Sequence, residues 1–321
     1  MNMSVNKQVE KNCSIMGKHT LFSMIGKSFK RQWPLYLMVL PGIIFYIVFK
    51  FIPLGGSVIA FMDYKITRGI FGSAWVGLKN FQSFFTYQDI RRVFWNTLVI
   101  ASYNLILVFP VPIILAMLFN EIKNIHFKKA VQTVSYLPYF FSWVIIAGLT
   151  FDILSSTGIV NSVRAALGMD TILFMQKENY FRGIVVVTGI WKEAGWGSII
   201  LLAAISNINN EFYEAAIIDG AGKWKQAIWI TLPLLLPTIV ILFLLRVGNF
   251  LDIGFEHIFN LLTPMTYAVG DILDTYVYRI GIMEAQYSLT TAIGLFQSCI
   301  GFLLVFICNR LSRRYLDGGL W

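Results

Sequence analysis

Charged residues are scarce in this sequence. They make up 13% of its 321 residues against 57% hydrophobic residues, whereas soluble domains carry about 25% charge. The length would suffice for two soluble domains, but so few charges cannot cover their surfaces. The three cysteines, Cys13, Cys299 and Cys308, are too few for a disulfide scaffold. These shortages exclude soluble, disordered and disulfide-rich proteins and leave a polytopic membrane protein.

Nucleotide-binding and catalytic motifs are also missing. The nearest approach to a Walker phosphate loop is Gly26-Lys27-Ser28, but Leu21 stands where the first glycine is required. The three histidines lack metal-ligand spacing, and the chain has no His-Glu-x-x-His or Gly-x-Ser-x-Gly run. We therefore predict that this chain is not an enzyme and holds no nucleotide, metal or other cofactor.

Long apolar runs dominate what is present. Six of them can cross about 30 Å of hydrocarbon as helices, since a helix rises about 1.5 Å per residue. An open sheet would leave backbone groups without partners in lipid. The sequence therefore predicts an all-α membrane protein with six transmembrane helices. The predicted spans are 35–61, 94–120, 131–154, 183–208, 234–262 and 288–309.

The basic residues outside these runs predict the orientation. Fourteen lie in the two tails and in the connections 121–130 and 209–233, and nine lie in the other connections. Because lysine and arginine accumulate on the cytoplasmic side, both termini are predicted to be cytoplasmic in a multi-pass cell-membrane protein. Topology also explains the net charge of +9 without nucleic acid. The predicted domains are a basic N-terminal tail without a removable signal peptide (1–33), a six-helix domain (34–310) and a C-terminal tail (311–321).

The connection 211–233 differs from a simple tether. It mixes charged residues with alanines and tryptophans, and Asp219-Gly220 is a turn signal that would end a short helix beginning near Asn210. Pro233 and Pro237 are expected to mark the start of the next span. The pattern alone allows two interpretations, an amphipathic helix lying on lipid headgroups or a docking helix for a soluble partner.

The same connection resembles the EAA loop of ATP-binding-cassette import permeases. The matching residues are Glu214-Ala215-Ala216, Asp219-Gly220-Ala221, Ile230, Leu232-Pro233 and Pro237. Further matching runs are Asn96-Thr97-Leu98, Tyr136-Leu137-Pro138, Gly189-Ile190-Trp191-Lys192, Asp274-Thr275-Tyr276-Val277-Tyr278 and Gly318-Gly319-Leu320-Trp321. Together they resemble the polysaccharide-type (LplB-like) branch of the maltose-transporter permease family over residues 35–321. One departure is Ala227, where the family usually has phenylalanine.

The resemblance implies a type I importer permease fold with a coupling helix that seats in a cleft of a cytoplasmic ATPase. Glu214 would contact the ATPase, the two alanines would allow close seating, and Gly220 would supply the turn. The implied partners are a second homologous permease, two ATP-binding subunits that hold ATP and Mg, and an extracellular substrate-binding protein. The implied coupling residues are Glu214, Ala215, Ala216, Asp219, Gly220, Ala221 and Pro233.

Ionisable residues inside the spans are candidates for a substrate path, because they are costly in lipid. On a continuous fifth helix, the polar residues from Arg246 to Asn260 share an arc of about 120°. The helical rise places Lys192 at a similar depth, and nearby tryptophans offer faces on which sugar rings stack. An internal salt bridge between Glu193 and Arg246 is an alternative compatible with that role. The predicted path residues are Lys192, Glu193, Trp191, Trp196, Arg246, Asn249, Asp252 and Glu256.

These expectations describe a permease subunit of an ATP-driven importer of oligosaccharides or polysaccharide fragments. Two cations near the membrane midplane, Lys192 and Arg246, favour an acidic sugar such as a uronate oligomer. The alternative is an ATP-independent secondary sugar transporter, which would also need charges inside the membrane.

Overall fold

The computed structural model describes residues 33–315. Most of the predicted N-terminal tail, including Gly26-Lys27-Ser28, and the C-terminal run 318–321 lie outside the described residues. The chain divides into two compact units, one ending at Val58 and the other beginning at Ile59. The sites described below belong to the second unit.

Helices make up most of the described chain. In chain order they are α1 (Trp33–Phe61), α2 (Gly69–Gly72), α3 (Lys79–Thr86), α4 (Gln88–Glu121), α5 (Ile125–Tyr136), α6 (Trp143–Leu154), α7 (Ile159–Ala166), α8 (Glu178–Ser206), α9 (Glu211–Ile218), α10 (Lys223–Gly248), α11 (Phe255–Leu261), α12 (Tyr267–Gly270), α13 (Leu273–Tyr276) and α14 (Tyr287–Tyr315). Strands β1 (Met62–Asp63) and β2 (Ala74–Trp75) pair antiparallel, with Met62 opposite Trp75.

In the part of the chain that the structure describes, six helical segments are long and apolar enough to cross a membrane. This confirms the predicted number of spans. The segments are α1, α4, α6 with α7, α8, α10 and α14. The first, second, fourth and sixth agree with the predicted spans except for differences of up to six residues at their ends.

Three of the long helices contain a π-helical turn that ends two residues before a proline. The turns are Ile47–Phe51, Asn104–Val108 and Ala227–Thr231, and the prolines are Pro53, Pro110 and Pro233. Proline has no backbone N–H to donate. Each π turn closes with a bond to the fifth residue back, as from the Phe109 N–H to the Asn104 carbonyl at 3.0 Å. These helices therefore continue past their prolines, and the prediction that the fifth span starts near Pro233 is wrong, since α10 begins at Lys223.

The predicted third span, 131–154, is not one helix. Helix α5 ends at Tyr136, a 3₁₀ turn covers Leu137–Phe140, and α6 begins at Trp143. Pro138 lacks a backbone donor, and the Ser142 hydroxyl caps α6 by accepting the N–H of Ile145 at 3.4 Å. The span consists instead of α6 and α7. We call residues 137–142 the first break.

The predicted fifth span, 234–262, is also interrupted. Helix α10 ends at Gly248, and α11 starts only at Phe255. Between them the chain turns, and Gly254 adopts φ +98°, a conformation that side chains other than glycine rarely take. We call residues 249–254 the second break.

This interruption corrects the predicted polar arc. Asp252, Glu256 and Asn260 do not continue the helical face of Arg246, because the second break separates them from α10. The physical reason lies partly in Gly248, which packs closely on α14. A Cβ added to Gly301 of α14 would stand 2.7 Å from the carbonyl oxygen of Gly248.

Helix α8 packs against elements from both halves of the second unit. It contacts the second half of α4, then α5, α10 and α12. Phe181 and Val185 are fully buried in an apolar cluster with residues of α11, and Leu201 is buried in another with residues of α4 and α10. At Gly195 the packing is closest, since an added Cβ would overlap the carbonyl of Ser135 in α5. These contacts fix the middle of α8 against both breaks.

Polar contacts fix the connection between α11 and α14. The buried Asn96 amide in α4 donates to the carbonyl of Asp271 at 3.2 Å and accepts from the Arg182 guanidinium of α8 at 2.9 Å. The hydroxyl of Thr97 accepts the N–H of Leu273 at 2.9 Å. The Asn96-Thr97 run therefore acts in this fold by holding the start of α13.

Asp274, in the same connection, is partly buried beside a polar cavity of about 240 Å³. Its Oδ1 accepts from the Gln297 amide at 3.2 Å, whereas its buried Oδ2 has no hydrogen-bond partner among the described residues. Burial raises the pKa of Asp274 from 3.8 to about 6, and the nearby Asp252 carboxylate acts in the same direction.

This raised pKa predicts a pH-dependent stability. The folded protein holds the proton of Asp274 more tightly than the unfolded chain, so its contribution to stability is complete below pH 3.8 and declines as pH rises to about 6. We expect Asp274→Asn to remove this part of the pH dependence in thermal unfolding of the solubilised protein. Asp170→Asn, at an exposed position, is the matched control. Equal pH profiles for wild type and Asp274→Asn would contradict the prediction.

Candidate functional site

A cavity of about 780 Å³ lies between α4, α8, α10 and the two breaks. Its volume falls in the range of ligand sites, about 300–1,000 Å³. Seven of the eight predicted path residues line it: three come from α8, and four come from the broken fifth segment instead of one helical face. These residues are Lys192, Glu193, Trp196, Arg246, Asn249, Asp252 and Glu256.

The eighth predicted residue, Trp191, does not face this cavity. It lines a separate apolar groove of about 490 Å³ between α6 and α8. Successive residues on a helix point about 100° apart. Trp191 therefore lies about 100° around α8 from Lys192 and lines this groove instead of the cavity.

Arg246 and Glu193 form an ion pair inside the cavity. Their guanidinium and carboxylate groups are 3.2 Å apart, and both side chains are partly exposed to the cavity, by 39% and 36%. The salt bridge predicted as an alternative to substrate lining is thus present, and both residues also line the cavity. Water and ligands can reach such a pair, so its stabilisation is modest, about 1 kcal/mol or less.

Lys192 lines the same cavity but is 9% exposed. Its ammonium group donates to the backbone carbonyls of Tyr139, at 3.0 Å, and Phe141. It also lies 5.1 Å from the ring centre of Trp143 and 5.7 Å from that of Tyr139. The ammonium group is therefore held by the first break and by the first residue of α6.

Tyr139 of the first break and Trp143, the first residue of α6, complete the cavity wall, and neither was among the predicted path residues. Tyr139 stacks on Trp196 with ring centres 4.4 Å apart, and Trp143 stacks on the buried His257 at 3.7 Å. Both aromatic residues belong to the segment predicted as an ordinary transmembrane helix. Pro138, within the quoted Tyr136-Leu137-Pro138 run, was the sequence signal that could have revealed the break.

Carboxylates outnumber cations among the charged residues that line this cavity, so their net charge does not favour anions. Two are cations, Lys192 and Arg246, and three are carboxylates, Glu193, Asp252 and Glu256. Since Lys192 is occupied by carbonyl groups, Arg246 is the cation whose partner can exchange. An anionic ligand would compete with Glu193 for this guanidinium.

The predicted coupling residues occupy an exposed helix-turn segment. Helix α9 ends at Ile218, and Gly220 follows with φ +74°, as the Asp219-Gly220 turn signal predicted. The Gly220 N–H donates to the Ile217 carbonyl at 3.0 Å, and the Ala221 N–H donates to Ala216 at 2.8 Å. This pair of bonds closes the end of the helix.

Along this segment, Glu214, Ala215, Asp219 and Gly220 are exposed, and Ala216 and Ala221 are half-buried. Pro233 is exposed but lies ten residues into α10, so the structure places it apart from the turn.

Two side-chain contacts connect this segment with α10, and an ion pair connects the start of α10 with α4. Tyr213 of α9 shares a hydrogen bond with the buried Thr231 of α10, at 2.9 Å between the hydroxyl oxygens. The Gln226 amide donates to the Ala221 carbonyl at 2.9 Å. Lys223 forms an ion pair with Glu121 at the end of α4, at 3.2 Å. Helix α9 is therefore attached to α10, the helix that carries Arg246.

Residues 91–317 match the family model described as "Binding-protein-dependent transport system inner membrane component". Protein LplB of Bacillus subtilis (strain 168) is 41% identical over 293 residues, which are 91% of this chain and 92% of that protein. The polygalacturonan/rhamnogalacturonan transport system permease protein YteP of the same organism is 44% identical over 292 residues, or 91% of each chain.

Solved structures with the same fold also match. A chain in the crystal structure of a bacterial alginate ABC transporter, in complex with an alginate pentasaccharide-bound periplasmic protein, is 40% identical. Its TM-score is 0.85, and the match covers 92% of this chain and 99% of that one. A second structure, of a bacterial ABC transporter involved in the import of the acidic polysaccharide alginate, gives a TM-score of 0.84 at 40% identity.

Proposed function

The chain belongs to the family of binding-protein-dependent transport system inner membrane components, and from this premise we propose that it admits acidic oligosaccharides through the cavity beside Arg246. It is a multi-pass cell-membrane permease of a sugar ABC importer, and it is a transport component, not an enzyme. ATP hydrolysis resides in a separate subunit. Family membership also decides against the ATP-independent secondary transporter considered from the sequence.

The observation that carries the substrate proposal is the exchangeable ion pair of Arg246. The Arg246 guanidinium lies 3.2 Å from the Glu193 carboxylate. It is placed to bind a uronate carboxylate instead, because the carboxylates of glutamate and of a uronate have the same planar shape. The relatives support the same substrate class, since their names refer to polygalacturonan, rhamnogalacturonan and alginate.

The cavity wall suits sugar rings as well as charge. Trp196 and Tyr139 present stacked aromatic faces, and apolar faces of sugar rings pack on such surfaces. Asn249, Asp252 and Glu256 supply hydrogen-bonding groups for hydroxyls. With three carboxylates in the wall, binding requires that Glu193 releases Arg246. This exchange makes binding selective for ligands that bring their own carboxylate.

Coupling to ATP is assigned to helix α9. Its exposed Glu214 and the small residues Ala215 and Ala216 fit a helix that seats in a groove of an ATPase subunit, and Gly220 provides the turn behind it. In this arrangement ATP and Mg are bound by two partner ATPases, and a second homologous permease completes the pathway. Both termini and α9 then lie on the cytoplasmic side, and the substrate-binding protein docks on the opposite side.

Substitution of Arg246 tests the substrate proposal. We expect Arg246→Gln to raise the half-saturating concentration of polygalacturonate oligosaccharides for uptake about fivefold, since a partly exposed charge contact is worth about 1 kcal/mol. Glu193→Gln should lower this half-saturating concentration, because the carboxylate that competes with the substrate for Arg246 is gone. Uptake is measured in vesicles that contain the copurified importer and its binding protein.

Arg310→Gln, on the exposed surface of α14, is the matched control for loss of one arginine. Neutral oligosaccharides of equal length provide the second comparison. Better uptake of the neutral sugars, together with unchanged uptake by Arg246→Gln, would overturn the assignment of an acidic substrate.

A further inference from the structure

Lys192 lies on α8 in the wall of the cavity that both breaks also line. It is one of two cations in the cavity wall, but it differs from Arg246 in its surroundings. The Lys192 residue is 9% exposed, whereas 39% of the Arg246 side chain is exposed. A ligand in the cavity therefore reaches the guanidinium of Arg246 more readily than the ammonium group of Lys192.

The ammonium group of Lys192 satisfies backbone groups of the first break. Where a helix is interrupted, carbonyl oxygens lose their N–H partners one turn further along the chain. Such groups are costly in a membrane unless another donor reaches them. Lys192 donates to two of them, the carbonyls of Tyr139, at 3.0 Å, and Phe141.

The same ammonium group connects indirectly with the segment after the second break. It lies 5.1 Å from the ring centre of Trp143, which in turn stacks on His257 of α11 with ring planes 12° apart. The His257 imidazole is 2.9 Å from the hydroxyl of Thr188, one helical turn before Lys192 on α8. A closed set of contacts thus joins α8, the start of α6 just after the first break, and α11.

Small residues bring these elements close together. Gly195 of α8 touches the backbone of Ser135 just before the first break. Gly189 faces His257, since a Cβ added to Gly189 would stand 3.6 Å from the His257 ring. Larger residues would separate α8 from both segments, and the ammonium group would then no longer reach the carbonyls.

We propose that Lys192 is a positioning residue that clamps the first break against α8 and holds the cavity in the arrangement seen here, while Arg246 meets the substrate. Alternation of access changes the walls of this cavity, and the breaks are the parts of the wall without regular helical bonding. Lys192 thus sets the stability of one access state. The assignment of Arg246 rests on the proposed function, but the clamp rests on the contacts of Lys192 alone.

The first experiment separates positioning from substrate binding. Lys192→Met keeps an unbranched side chain that is one atom shorter and has no charge, and Lys192→Arg keeps donors for both carbonyls. In the complete importer, we expect Lys192→Met to leave the half-saturating concentration of polygalacturonate oligosaccharides within about twofold of wild type. It should raise ATP hydrolysis in the absence of binding protein, because the resting arrangement is destabilised. Lys192→Arg should restore the wild-type behaviour.

The second experiment measures the clamp directly. Spin labels at the exposed positions Phe140 and Val187 report the distance between the first break and α8, in a background where Cys13, Cys299 and Cys308 are serine. We expect one narrow distance distribution for the wild-type importer and for Lys192→Arg. For Lys192→Met we expect a broader distribution that reaches longer distances.

Two results would overturn the clamp. One is an unchanged distance distribution in Lys192→Met. The other is a half-saturating concentration that rises as much as in Arg246→Gln with unchanged basal ATP hydrolysis, which would make Lys192 a substrate ligand. Failure of the proposed function is recognised separately, because unchanged acidic-sugar uptake by Arg246→Gln leaves the distance measurement unaffected.

Discussion

Gly220→Val is expected to abolish most ATP-driven uptake while the chain remains in the membrane. Gly220 has φ +74°, and a β-branched residue in this conformation costs about 1–2 kcal/mol. Helix α9 has eight residues, none of them fully buried, so no apolar core compensates for the strain. A cost of about 1.4 kcal/mol changes a population tenfold. We therefore expect at least about a tenfold loss of uptake and of copurified ATPase subunit.

Conformation, not volume, is the cause in this prediction. Around both Gly220 and Gly222, the described residues leave the space within 4 Å of an added Cβ empty, but φ at Gly222 is −71°. Gly222→Ala is therefore the matched control and should behave as wild type. Gly220→Asn should retain more uptake than Gly220→Val, since asparagine tolerates positive φ. Wild-type ATPase recruitment by Gly220→Val would refute the coupling role of α9.

Gly195→Ala is expected to destroy the packing of α8 on α5. An added Cβ would overlap the backbone carbonyl of Ser135, and backbone cannot yield as a flexible side chain would. Overpacking of this kind typically costs about 1–3 kcal/mol and sometimes more. We expect little folded protein after solubilisation, a lower unfolding temperature and almost no uptake.

Gly183 provides the control on the same helix. In the described structure nothing stands within 4 Å of a Cβ added there, so Gly183→Ala should keep the wild-type unfolding temperature and uptake. Because both substitutions add one methyl group to α8, their difference measures the close approach at Gly195 alone. Equal stability of the two variants would show that α5 can move away without loss.

Hydropathy predicted the number of spans correctly because it measures the property that membrane crossing requires. It did not reveal the two breaks, because apolar residues such as Leu137 and Leu251 continue through them. The interruptions depend on Pro138, Gly254 and the approach of α14 to Gly248. The first two were readable as local signals, whereas the third exists only in the packed structure.

The residues of the cavity were predicted largely from the cost of charge in a membrane. The cost of charge identified Arg246, Glu193 and Lys192 but gave the two cations the same predicted role. Their difference arises from the carbonyls of the first break, which surround Lys192 and not Arg246. Backbone acceptors have no signature in the sequence, so only the structure separates the two.

The π-helical turn at Ala227–Thr231 changes how positions along α10 are to be compared. A π turn holds one extra residue, so the helix before it and the helix after it do not share a single 3.6-residue phase. A helical wheel drawn from Lys223 therefore misplaces Arg246 by about 100° around α10. Scanning mutagenesis of this helix needs separate numbering for its two parts, with the phase reset at Leu232. Sequence alignments with proteins that lack the turn need a one-residue gap at the same place.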